Sequence, residues 1–190
     1  MGRSAFTLFD TPIGRCALVW RGSFVVGAAL PEGSDAEARQ RLARRFPGAD
    51  EGVPPAFVLA AIEAVRALLS GTPTNLSFVD VDLADTPEFE RRVYAAARAI
   101  PPGEVRTYGE LARTIGAPGA AQAVGRALGR NPVPIIIPCH RILASAGGSG
   151  GFSAPGGVST KLKMLEIERA RRSTEPELFE NLPWAAKPAG

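Results

Sequence analysis

Two cysteines and a single histidine are all the soft or nitrogen metal ligands that these 190 residues offer. A structural zinc site needs four such ligands, so one chain cannot build it. A disulfide-rich secreted scaffold is excluded for the same reason. No apolar run approaches the ~20 residues that span a bilayer. The first residues lack the charged-then-apolar pattern of a secretory signal. Lysine is scarce: Lys161, Lys163 and Lys187 are the only ones among 22 basic residues. What remains is an ordinary globular composition, 45% hydrophobic and 22% charged. The length suits one large domain or two small ones with a real core. The expectation is a cytoplasmic protein with reduced thiols and no membrane partner.

The net charge of +3 is unevenly spread. Residues 1–85 carry −2, residues 86–172 carry +7 and residues 173–190 carry −2. The basic stretch suits a polyanion partner, and a solvated basic face has the same composition. Arginine dominates it, and the planar guanidinium fork suits phosphate, although a GC-rich genome produces the same bias.

Short apolar runs divided by turns fill residues 5–30. Phe6, Leu8 and Phe9 precede Thr11-Pro12-Ile13-Gly14; Cys16–Trp20 precede Arg21-Gly22-Ser23; Phe24, Val25 and Val26 follow. This spacing predicts a three-stranded antiparallel meander. Ser34 and Glu37 form a capping box for a helix to about Phe46. Val58, Ile62, Val65 and Leu69 recur at helical spacing from about Pro55. Residues 75–83 read as a last strand and a linker. The first half is therefore a small α/β unit, and Cys16 within it reads as a small buried apolar residue.

Thr86 and Pro87 predict a capped helix start, with proline at the first helical position. Phe89, Val93, Ala97 and Ile100 lie on one face, and Pro101-Pro102-Gly103 ends it. Thr107 and Glu110 form a second capping box for a short helix to Ile115. Gly116-Ala117-Pro118-Gly119 turns the chain into a further helix from about Ala120 to Gly129. Two short helices around a glycine turn fit a helix-turn-helix, although on pattern alone a plain helical hairpin is the commoner reading. In the second helix Ala121, Gly125 and Gly129 form a bare stripe beside a polar stripe of Gln122, Arg126 and Arg130. Glycine inside a helix costs about 0.5–1 kcal/mol relative to alanine. Close approach of another backbone explains it, either a packed helix or a nucleic-acid groove.

Ile135-Ile136-Ile137-Pro138-Cys139-His140-Arg141-Ile142 is the sharpest feature. The isoleucines read as a buried strand-like segment that ends at Pro138 and presents Cys139 beside the sole histidine. A free thiol is mostly protonated at neutral pH. An imidazole and the Arg141 cation nearby favour the reactive thiolate. On its own the dipeptide reads as an inert cysteine next to a surface histidine.

The run Asn131-Pro132-Val133-Pro134-Ile135-Ile136-Ile137-Pro138-Cys139-His140-Arg141-Ile142 closely resembles the active-site signature of the O6-alkylguanine-DNA alkyltransferases, or methylated-DNA–protein-cysteine methyltransferases. The resemblance extends upstream through Phe89, Val93, Ile100–Gly103, Thr107–Ala112 and Ala123-Val124-Gly125. Downstream it includes Gly151-Phe152-Ser153, Lys161, Met164-Leu165 and Glu168. It is dense over residues 86–170 and loose before them.

The resemblance implies an α/β domain over residues 1–85 and a mostly α, winged-helix-like helix-turn-helix domain over 86–172, with a tail over 173–190. It implies binding of double-stranded DNA carrying O6-alkylguanine through the minor groove, by a monomer. The lesion is rotated out of the stack into the cysteine pocket. Cys139 resembles the nucleophile, His140 its base acting through a water, and Glu168 the carboxylate that orients the histidine. Tyr108 resembles the phenol that protonates the leaving guanine. Asn131 resembles the brace of the turn before the cysteine, and Lys161 a lysine that touches the active-site backbone. Phe152 and Ser153 resemble the loop over the base. Ala121, Gln122, Gly125, Arg126 and Arg130 fall on the helix that meets DNA. The implied reaction needs no metal or organic cofactor and occurs once per molecule, because a thioether resists water and thiols.

Three positions depart from the family pattern. Gln122 stands where an arginine normally enters the stack, so weaker DNA binding or base rotation is expected, with Arg126 compensating at phosphate. Phe152 and Tyr94 replace a common tyrosine and tryptophan. The loop from Ser153 to Val158 is slightly long. Two other classes remain to be weighed: a lesion-binding protein with little or no transfer, which Gln122 favours and the intact Cys139-His140 opposes, and a cysteine hydrolase, which lacks a visible oxyanion arrangement.

Overall fold

The computed structural model describes residues 2–145 and 157–172, so Phe152, Ser153 and the 173–190 tail lie outside the described residues. Strands β1 (Ala5–Thr11), β2 (Gly14–Arg21) and β3 (Phe24–Ala29) form the antiparallel meander that the turn residues predict. A two-residue strand, β4 (Asp50–Glu51), joins parallel to β1, giving the order β3-β2-β1-β4. So short a strand has no hydrophobic alternation from which to read it.

The sheet is buried on both faces, which explains the unbroken apolar run in β2. Phe9, Cys16, Leu18, Trp20 and Val25 face the large core. Phe6, Ala17 and Val19 face the opposite way, onto Leu42 and Phe46. The period of two along each strand sorts the residues between these layers. Helix α1 (Asp35–Arg45) covers the second face, opened by the Ser34–Glu37 box: Ser34 N donates to Glu37 Oε2 at 2.6 Å, and Glu37 N to Ser34 Oγ at 3.4 Å. Helix α2 (Ala56–Leu69) turns Val58, Ile62, Val65 and Leu69 into the large core.

That core is continuous with the second half. Val93, Tyr94 and Ala97 of α3 (Glu88–Arg98), Leu111 and Ala112 of α4 (Tyr108–Thr114), and Val124, Ala127 and Leu128 of α5 (Ala121–Gly129) belong to it. Burying each large aliphatic side chain contributes about 1.5–3 kcal/mol, so apolar burial joins the halves. The Thr107–Glu110 box caps α4 as expected, with Thr107 N donating to Glu110 Oε2 at 2.5 Å. Helix α6 (Gly157–Ile167) follows. Three short parallel strands, β5 (Glu104–Thr107), β6 (Ile142–Leu143) and β7 (Arg171–Arg172), add a small sheet in the order β6-β5-β7.

Three local expectations are corrected. Pro87 is itself the N-cap of α3, extended at φ −53° and ψ 147°, and no Thr86 side chain caps the helix; Glu88 and Glu90 in the first turn oppose the helix dipole instead. Residues 75–83 make one bridge, Val25 to Val81, rather than a strand. Ile135, Ile136 and Ile137 are buried, but as a tight turn bridged from Pro134 to Ile137, with Ile135 at φ 74°. Prolines at 132, 134 and 138 lack the N–H groups a strand ladder needs.

Candidate active site

The turn over residues 133–138 delivers Cys139 into a single 3₁₀ turn, Cys139–Arg141. Its three side chains are buried: Cys139 is 8% exposed, His140 1% and Arg141 5%. Two buried polar side chains in succession require partners, and both find Glu168.

Glu168 is the hub. Its Oε1 accepts from His140 Nε2 at 2.9 Å and Arg141 Nη2 at 2.8 Å. Its Oε2 accepts from Arg141 Nε at 2.8 Å and Gly103 N at 3.3 Å. Arg141 Nη1 donates to Ile100 O at 2.7 Å. Burial pushes the Glu168 carboxyl up, but the charges and hydrogen bonds of His140 and Arg141 outweigh it and hold its pKa down to about 2. An ionised carboxylate only accepts, so Nε2 carries the ring proton of neutral His140. Nδ1 is then a bare lone pair, and it has no hydrogen-bond partner among the described residues. Burial pushes the imidazole pKa down, against the pull of Glu168. Gly103 is glycine because φ is 85° there, and a Cβ would meet Glu168 O at 3.3 Å.

Burial also pushes the Cys139 thiol up, while a hydrogen bond from Asn131 and the charge of Lys161 pull it down. Arg141 is not the cation that favours the thiolate, contrary to expectation: its fork is committed to Glu168 and Ile100. Lys161 takes that part. It is fully buried, donates to Ile142 O at 2.5 Å, and stands 5.8 Å over the Tyr108 ring. Burial lowers its pKa to about 8. Burial and the neighbouring Cys139 raise that of Tyr108. Asn131 ties the turn together: its Nδ2 donates to Ile137 O at 2.8 Å, and its Oδ1 accepts from Val133 N at 2.9 Å.

Cys139, Tyr108 and Asn131 line a cleft of about 1320 Å³. One wall is α5, with Ala121, Gln122, Gly125 and Arg126; the other includes Arg41 and Arg45 of α1. The core-facing side of α5 is Val124, Ala127 and Leu128, so the bare stripe is turned to the cleft. A Cβ on Gly125 would sit 3.8 Å from the Tyr108 ring, an ordinary contact, so helix packing does not demand glycine there. Arg130 also lines the cleft and pairs with Glu90, whose Oε1 accepts from Nη2 at 2.7 Å and Nε at 3.0 Å. Arg126 is exposed and makes no ion pair among the described residues. No group of three His, Cys, Asp or Glu side chains able to hold a metal occurs among the described residues.

The family described as 6-O-methylguanine DNA methyltransferase, DNA binding domain, matches residues 88–170. The methylated-DNA–protein-cysteine methyltransferase of Mycobacterium tuberculosis strain H37Rv is 37% identical over 175 residues, 92% of this chain and 98% of that protein. This chain belongs to the methylated-DNA–protein-cysteine methyltransferase family. The fold agrees. The crystal structure of the M. tuberculosis O6-methylguanine methyltransferase superposes with a TM-score of 0.71 at 35% identity, covering 90% of this chain and 96% of that one. A structure of M. tuberculosis OGT in complex with DNA superposes with a TM-score of 0.69 at 33% identity, covering 87% and 92%.

Within the alkyltransferase fold, four residues take roles that local spacing does not show. Arg141 and Gly103 complete the Glu168 hub. Tyr94 is wholly buried, and its hydroxyl donates to Ala127 O at 2.9 Å, pinning α3 to α5. Arg45 reaches the Asn131 turn from α1. The sequence marked Gly103 by its Pro-Pro-Gly turn, Arg141 by the cysteine motif and Tyr94 as a replacement for tryptophan, and it left Arg45 unmarked.

Proposed function

We propose that this chain repairs DNA by taking the alkyl group from O6-alkylguanine onto Cys139, once per molecule. The observation that carries the reading is the Glu168–His140 relay, which leaves a bare Nδ1 beside a buried cysteine at the cleft. The Cys139 proton passes to Nδ1, through a water. The sulfur attacks the alkyl carbon, a C–S bond forms and the C–O bond breaks. The electron pair goes to the guanine, and Tyr108 donates its phenolic proton to a ring nitrogen. The proton held by His140 returns to the phenolate through solvent, so thiol and alkylguanine become thioether and guanine. Without a donor the leaving group would be a purine anion in a low-dielectric pocket. Glu168 offsets the imidazolium, and Asn131 and Lys161 favour the thiolate.

Duplex DNA meets α5 through its minor groove, with the target base rotated into the cleft, since a buried sulfur cannot reach a stacked base. Residues 86–172 hold the DNA and the reactive centre, and residues 1–85 support them. The protein acts as a monomer in the cytoplasm, where thiols stay reduced. Gln122 cannot supply the charge of the usual arginine, so base rotation is weaker, and Arg126 recovers part of the loss at phosphate.

Intact mass after incubation with an O6-alkylguanine oligonucleotide tests this. A gain equal to the alkyl group, mapped to Cys139 and absent in Cys139→Ser, is the expected result. Tight binding with no gain would establish the second reading, a lesion-binding protein, which the short neutral side chain of Gln122 favours.

A further inference from the structure

Arg45 ends α1 at the far wall of the cleft from α5. Its Nη2 donates to Pro132 O at 3.1 Å and more weakly to Asn131 O at 3.5 Å, while Nη1 approaches Ala28 O at 3.5 Å. The base of this reach is fixed. Phe46, next in sequence, lies under β3 so closely that a Cβ on Gly27 would meet its ring at 2.2 Å. The guanidinium stacks 5.4 Å from the centre of that ring. Ala28 N also donates to Pro132 O at 3.0 Å. One carbonyl, Pro132 O, therefore receives both the β3 backbone and the α1 arginine.

The segment so clamped is the one that shapes the nucleophile. Asn131 Nδ2 donates to Ile137 O, the same carbonyl that accepts from Cys139 N at 2.8 Å. Between them Ile135 sits at φ 74°, where a β-branched residue is strained and persists only when its surroundings hold it.

We infer that Arg45 is a positioning residue for Cys139: it fixes the Asn131–Pro132 backbone so that the Asn131 side chain holds the strained turn that carries Cys139. The residue acts from the half of the chain that carries no reacting group, and it makes that half part of the reactive centre. The inference rests on the proposed transfer chemistry only for its effect on rate. The groups that set the charge around the sulfur are Lys161 from α6, Tyr108 from α4, and His140 with Glu168 and Arg141; the substitution alters none of them.

The test compares full-length wild type, Arg45→Ala, Arg45→Lys, Asn131→Ala and the Arg45→Ala, Asn131→Ala double variant. Iodoacetamide labelling of Cys139, located by peptide mass, is followed against pH, together with single-turnover transfer from an O6-alkylguanine oligonucleotide. Arg45→Ala raises the apparent Cys139 pKa by about one unit and slows transfer about tenfold. Arg45→Lys keeps the charge, loses the fork and falls between. In the Asn131→Ala background the Arg45 substitution has no further effect. An unchanged labelling profile in Arg45→Ala, or effects that simply add in the double variant, overturns the inference. Should Arg45→Ala fail to fold, the labelling profile of Arg45→Lys decides alone. A wild type that transfers nothing, with the labelling shift intact, sinks the proposed function and leaves this role standing.

Discussion

Glu168 lies 28 residues beyond His140 in the chain, yet its Oε1 stands 2.9 Å from His140 Nε2. The same carboxylate takes two bonds from the Arg141 fork. Charge and tautomer are therefore set together: the carboxylate is stabilised by arginine, and being ionised it fixes the histidine proton on Nε2.

Glu168→Gln breaks both functions. An amide flips to suit either neighbour and no longer dictates the tautomer, and the Arg141 charge is left buried without its partner. Losing one member of a buried pair costs about 3–5 kcal/mol. Transfer should fall at least a hundredfold beyond any loss of folded protein. Single-turnover rates, paired with urea melts to correct for unfolding, check this; a variant within threefold of wild type shows that the relay does not act.

The same carboxylate sets an acid limit. Its folded pKa is held to about 2, below the unfolded value of about 4.3. A depressed acid contributes stability above its unfolded pKa and loses it as pH falls toward the folded one. The contribution, of order 3 kcal/mol, is present at neutral pH and drains away between about pH 4.3 and pH 2. Melts across that window in wild type and Glu168→Gln should converge as pH falls; parallel curves contradict the assignment.

Lys161 titrates the other way. Burial lowers its pKa to about 8, so its charge is destabilising below that value and the group's contribution to stability rises between about pH 8 and pH 10.4. Lys161→Met exchanges a buried cation for an apolar chain of similar length, a change that is often neutral for folding. It should leave the melting midpoint nearly unchanged and raise the Cys139 pKa, slowing iodoacetamide labelling at pH 7 about tenfold. Equal labelling rates would show that Lys161 does not act on the sulfur.

Gln122 and Arg126 separate hydrogen bonding from charge on α5. Gln122→Arg should speed transfer from duplex DNA about tenfold and steepen the salt dependence of binding by about one phosphate's worth, a slope change near 0.9. Arg126→Ala should weaken binding evenly across sequences and flatten the slope by the same amount. Transfer from free O6-alkylguanine should change in neither. Equal duplex rates in wild type and Gln122→Arg remove the supposed deficit.

The meander, the helices and both capping boxes were legible because each is a local pattern. Ser34 with Glu37 and Thr107 with Glu110 announce themselves within four residues. The Glu168 hub was reached only through family resemblance, since nothing local links residue 168 to residue 140. The isoleucine run misled because burial and strand share one composition, and three prolines in that stretch outweighed it. Arg45 stayed hidden because a side chain that bonds a distant carbonyl leaves no trace in spacing. The two-residue strands β4, β6 and β7 are too short to show a period.

Gly125 offers the sharpest test of which way α5 faces. Alanine there fits: its Cβ would touch the Tyr108 ring at 3.8 Å, in ordinary contact. Removing a helical glycine should stabilise the protein by about 0.5–1 kcal/mol. If the stripe were helix packing, activity would follow stability upward. If it enters a groove about 6 Å wide, the added bulk keeps the backbone from its seat. Gly125→Ala should therefore melt higher and yet transfer more slowly from duplex DNA, by about threefold to tenfold, with Gly125→Leu slower still. Labelling of Cys139 by iodoacetamide should remain at the wild-type rate in the alanine variant, because the sulfur and its relay are untouched. A variant that is both more stable and equally fast on duplex DNA would mean that DNA does not approach this face of the helix.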